Sequence, residues 1–202
     1  MPPCIVSIVE GHGEVEALPV LVRRILLEQD PPGFADILRP RRIAKGSLLR
    51  QGELERYVEI AADQIAFHGA ILVVIDSDCE LLPCVIGPEL LARAKLARPD
   101  KPIGIVLAHC EWENWYLAAA ESLAGRRELR ADIASPEHPE SIRGAKEWLS
   151  KRMQPGRAYS PTADQAALAA SLDLNAARRA PSFDKFYREV VRLFRDASAL
   201  PH

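Results

Sequence analysis

The chain has 202 residues and a mass of 22.3 kDa, enough for one core of ordinary domain size. A hydrophobic fraction of 48% and a charged fraction of 27% exclude a disordered chain, and no apolar run approaches the ~20 residues of a bilayer-spanning helix. A net charge of −2 excludes a strongly basic nucleic-acid coating protein, and residues 1–100 hold 11 Lys and Arg against 15 Asp and Glu, which puts the acid excess in the first half.

The start, MPPCIVSIVEGHGE, lacks the basic segment and long apolar stretch of a secretory signal. The cysteines Cys4, Cys79, Cys84 and Cys110 form no close pair. Free thiols in a reducing cytoplasm are therefore expected, and a structural zinc site with His109 is disfavoured. Cys4–Val9 (CIVSIV) reads as a buried strand running into Glu10-Gly11-His12-Gly13. Val15, Leu18, Leu21, Val22, Ile25 and Leu26 then recur at helical spacing, with Glu14 and Glu16 at the positive end of the helix dipole. Residues 35–45 predict a second strand broken by Pro40, and residues 53–67 an amphipathic helix.

Ala70–Ile75 (AILVVI) is apolar on both faces, as in a parallel strand covered by helices, and it ends in Asp76-Ser77-Asp78. A helix over 88–97, a strand over Ile103–Ala108 and a helix over Glu111–Ala120 follow. This alternation predicts an α/β fold with a mostly parallel four-stranded sheet in a core of residues 1–122. Beyond it, helical patterns near 141–152, 163–171 and 182–197 predict a helical C-terminal region, 123–202, packed on the core as one compact unit.

In such a sheet ligands bind at the carboxyl ends of the strands, and the notable acids lie there. Asp76 and Asp78, two apart, would share one side of an extended chain and could hold one Mg²⁺ or Mn²⁺. Glu10 would complete the site or act as general acid and base, with Glu113 as a further ligand and Glu14 and Glu111 as support. Trp112, Trp115 and Tyr116 read as packing. Arg39, Arg41, Arg42, Lys45 and Arg50 form a basic run that could grip phosphates beside the acids.

A strand ending in Glu-Gly followed by a strand ending in Asp-x-Asp resembles the Toprim domain of topoisomerases, bacterial primases and overcoming-lysogenization-defect nucleases. The chain more closely resembles the Toprim-like family called domain of unknown function 4276, through VEGHGEVEALPVL (9–21), VVIDSD (73–78), HCEWENWYLAA (109–119) and residues 159–186. Tyr159-Ser160-Pro161 stands where that resemblance leads one to expect Tyr-Ser-Lys.

The resemblance implies Mg²⁺ held mainly by Asp76 and Asp78 with Glu10 catalytic. The expected function is metal-dependent phosphodiester hydrolysis on DNA or RNA in the cytoplasm. The alternative is a non-catalytic Toprim-like partner module of a defence or ATPase-linked complex. Any ATP-driven step would then come from a separate protein, because these residues contain no P-loop lysine motif. A haloacid-dehalogenase-like phosphatase is disfavoured, since its nucleophilic aspartate belongs on the first strand, where this chain offers Glu10.

Overall fold

The apolar runs become the middle of a parallel sheet. In the computed structural model, which describes residues 2–44, 46–65, 68–78 and 83–199, β1 spans Cys4–Val9 and is followed by α1, Glu14–Leu27. The second strand is split into β2 (Asp36–Ile37) and β3 (Arg41–Arg42), both parallel to the same edge of β1, with Leu38, Arg39 and Pro40 between them. Proline cannot donate to the ladder, which accounts for the break. Next come α2 (Glu53–Ala62), β4 (Gly69–Asp76), α3 (Pro83–Ala97) and β5 (Ile103–Ala108).

β1 pairs with β4 and β4 with β5, all parallel, so the sheet reads β2–β1–β4–β5 with β3 also on β1. The α/β architecture expected from the sequence is the one observed. After β1 the chain first lays strands on one side of it and then crosses to β4 on the other. The strand order therefore reverses around β1, and the crevice of the topological switch point opens where β1 and β4 end.

Side chains alternate across the sheet, as strand geometry requires. Ile5, Val9, Leu72, Val74 and Val106 face a core shared with α1 and the C-terminal helices, while Val6, Ile8, Ile71, Val73 and Ile105 face α2 and α3. The helices α4 (Asn114–Ala118), α5 (Ala145–Ser150), α6 (Pro161–Ser171), α7 (Leu174–Ala177) and α8 (Pro181–Ser198) complete the chain. The expected helix at 88–97 starts earlier because Pro83 suits the first helical position. The helix expected through 67 ends at Ala62.

α8 lies on β4 and β5. Gly104 permits this approach, because a Cβ there would stand 3.0 Å from Leu193 and 2.8 Å from the Glu189 carboxylate. Trp115 stacks on Phe186 at 5.0 Å and packs edge-on to Phe183, and all three are fully buried. One apolar cluster thus contains Ile5 from β1, Trp115 from α4 and Ala197 from α8. Among the described residues no helix is long and apolar enough to cross a membrane.

Candidate functional site

A cavity of about 310 Å³ opens at the ends of β1 and β4, lined by Glu10, Gly11, His12, Gly13, Glu14, Asp76, Glu113, Lys146, Pro161, Thr162 and Gln165. The strand alternation puts Asp76 on the face of Leu72 and Val74, toward α1 and α4, where its Oδ1 accepts the Trp112 N–H at 2.8 Å. Glu10 follows the last residue of β1 and its Oε1 accepts the Gly46 N–H at 2.6 Å. Glu14 opens α1 and is only 5% exposed. Glu113 precedes α4, is 1% exposed, and accepts the Tyr159 hydroxyl at 3.0 Å.

Glu14, Asp76 and Glu113 resist ionisation. Burial pushes Glu14 up to about 7, with Glu113 and Glu10 adding to the rise and the Gly11 and Glu10 backbone N–H groups opposing it. Burial raises Asp76 well above the usual carboxylate range, and Glu14 and Glu113 raise it further. Burial also raises Glu113, even though Lys146 pulls the other way. Lys146 is the nearby cation, with Nζ 2.7 Å from Glu111 and 3.1 Å from Glu113. Burial lowers its pKa, but Glu113, Glu111 and Asp76 outweigh that and hold it charged.

The structure brings some of the residues singled out in the sequence together and leaves others apart. Glu10, Asp76, Glu113 and Glu14 share this cavity. Asp78 does not line it and is exposed. The strand ends at Asp76, and Asp78 adopts the left-handed conformation with φ 51°, so the two-residue alternation no longer applies. Glu111 turns instead to α5, accepting the Ala145 N–H at 3.1 Å and the Lys146 ammonium. Burial raises its pKa, but these partners outweigh that and hold it below the ordinary value.

Among the described residues, no three His, Cys, Asp or Glu side chains are grouped so as to hold a metal ion. This overturns the expected Mg²⁺ or Mn²⁺ site at Glu10, Asp76, Asp78 and Glu113. The metal-dependent nuclease and phosphodiester hydrolase reading falls with it.

Of the basic run, Arg42 reaches a residue that lines the cavity. Arg42 is exposed, with Nη1 3.4 Å from the Glu10 carbonyl oxygen, and Arg39 pairs with Glu16 at 2.8 Å across exposed surface. Arg41 is half-buried and Arg50 exposed, while Lys45 lies outside the described residues. Trp112, Trp115 and Tyr116 are fully buried, in agreement with a packing role. The Trp112 indole N–H donates to the Tyr116 hydroxyl, which donates to the Gln165 carbonyl, tying α4 to α6. Cys4 and Cys84 are free, but Cys110 is disulfide-bonded, which corrects the expectation of free thiols throughout.

Lys146, Thr162 and Gln165 escape a reading based on strand ends, because the C-terminal region brings them in from far along the chain. Their one local signal is that they lie in or beside helices whose starts carry Gly144 or Ser160-Pro161. Comparison with curated proteins and with solved structures finds no match. A family comparison does, over residues 9–190, and the chain belongs to the family described as domain of unknown function 4276.

Proposed function

We propose that this chain is a non-catalytic, Toprim-like partner module whose cavity binds rather than cleaves, working beside a separate ATPase in a defence or related complex. The observation that carries this reading is that the protein itself holds the acids it places at the strand ends. Asp76 accepts from Trp112, Glu10 from Gly46, and Glu113 from Tyr159 beside Lys146, with no metal-holding group among the described residues. The Glu-Gly after β1 and the Asp-Ser-Asp that begins at the last residue of β4 support the Toprim-like kinship.

In this reading Glu10, Glu14, Asp76 and Glu113 are binding residues, and Glu111 positions Lys146. The basic residues Arg39, Arg41, Arg42, Lys45 and Arg50 would meet an acidic partner surface or nucleic-acid phosphates. The cytoplasm is its proposed location, which fractionation of tagged protein tests.

Two measurements together test the function. Purified protein is incubated with single- and double-stranded DNA and RNA, and tagged protein is used to capture its complex under native conditions. The reading predicts intact nucleic acid and co-purification of an ATPase in fixed stoichiometry. Strand cleavage that disappears in Asp76→Asn would overturn it.

A further inference from the structure

We propose that the cavity at the ends of β1 and β4 is a receptor for a guanidinium group, held by the carboxylates of Glu10, Glu14 and Asp76 and by the side-chain oxygen of Gln165. The inference rests on the reading of the chain as a binding module and names the chemistry that this module recognises.

The acidic wall alone does not specify a ligand, but Gln165 adds an independent indication. It is 2% exposed, lines the cavity, and its Oε1 has no hydrogen-bond partner. A buried acceptor without a donor is uncommon and calls for an occupant that supplies one. The oxygen lies so close over Gly13 that a Cβ there would stand 1.9 Å from it, so the absence of a side chain at Gly13 leaves room for the amide in the wall.

The occupant's chemistry follows from this wall. Four carboxyls face one ammonium, which disfavours an anion. An apolar ligand would offer no donor to the buried Gln165 oxygen. The cavity gathers acceptors from Glu10 after β1, Glu14 of α1, Asp76 of β4 and Gln165 of α6, which suits a group that donates in several directions. A guanidinium does so, with five N–H groups in a fixed fork, a delocalised charge and weak hydration. A cavity of about 310 Å³ is at the small end for ligand sites and takes one such head group. The group can come from an arginine side chain of the partner or from a small free guanidine.

The test titrates the purified full chain with methylguanidinium chloride at constant ionic strength, using calorimetry and amide NMR, with neutral methylurea as the control of equal shape. The expected result is saturable binding of methylguanidinium alone, with the largest shifts at Gly11, Gly13 and Gln165. Glu14→Gln weakens it roughly tenfold, the loss of one charge-assisted hydrogen bond, and Gln165→Glu tightens it. Amide spectra confirm that both variants fold. Tighter binding of a Gly-Arg-Gly peptide assigns the group to a protein partner, and tighter binding of methylguanidinium assigns it to a small molecule. Either outcome supports the site.

Absence of saturable binding, equal binding of methylurea, or indifference to both substitutions overturns the inference. Capture of an ATPase by a protein that ignores methylguanidinium overturns this inference and leaves the partner-module reading standing. Methylguanidinium binding by a protein that cleaves nucleic acid does the reverse.

Discussion

The Lys146 ammonium stands 3.1 Å from the carboxylate of Glu113, a side chain only 1% exposed. The C-terminal region thereby neutralises an acid placed by the α/β core. Replacing Lys146 with Met leaves Glu113 and Asp76 without their cation. The expected loss is about 2 kcal/mol, below the ~3–5 kcal/mol of a fully buried pair because the Lys146 side chain keeps 40% exposure. Adding Glu113→Gln to Lys146→Met removes the orphaned charge and recovers most of the loss. Urea denaturation of the single and double variants measures both effects.

Gly13 predicts a second outcome. Its φ of −69° is open to any residue, so backbone freedom is not the constraint there. A Cβ would stand 2.5 Å from the Pro161 carbonyl and closer still to Gln165, which forces α6 away from α1. Gly13→Ala is expected to cost about 1–3 kcal/mol by overpacking. Trimming Gln165 to Ala in the same chain relieves only part of this, because the Pro161 backbone stays in place. Denaturation midpoints of the three variants check the order.

The parts of this structure legible in the sequence are those fixed by short-range patterns. β1, β4 and β5 announce themselves by apolar runs that must be buried on both faces, and α1 by its helical spacing. The meeting of Glu10 and Asp76 follows from parallel strands alone. Asp78 could not be placed this way, because the left-handed turn that takes it out of the site reverses a geometry that holds only while the strand continues. Lys146 and Gln165 were also illegible, since they reach the cavity by tertiary packing of a region without strands to set a register. The short β2 and β3 exist only because β1 offers them an edge.

We propose that residues 1–122 and 123–202 fold as one unit, and a truncation tests it. Without α8 the β4 and β5 face loses Phe183, Phe186, Val190 and Leu193, and Trp115 loses the rings it packs on. A fragment of residues 1–122 is expected to show no cooperative thermal transition, whereas the full chain shows one. An equally sharp transition in the fragment would separate the two parts.

Glu14 makes stability depend on pH. Unfolded, its carboxyl gives up a proton near 4.5; folded, it holds the proton up to about 7. Between these values the native state binds more protons, so stability falls as pH rises, by about 3 kcal/mol once above the folded value. Glu14→Gln removes this penalty while keeping the shape. The variant is expected to exceed the parent by roughly 1–3 kcal/mol near pH 8 and to match it near pH 4, below the unfolded value. Urea unfolding at the two pH values measures the difference.

The account stands most directly on the shared burial of these carboxyls, and a carboxyl-carbon NMR titration of the full chain reads it. The expected result is one glutamate resonance with its midpoint at about 7, absent from the Glu14→Gln spectrum. If every glutamate titrates in the ordinary range of about 4–5, the cavity is open to water and the site described here does not exist.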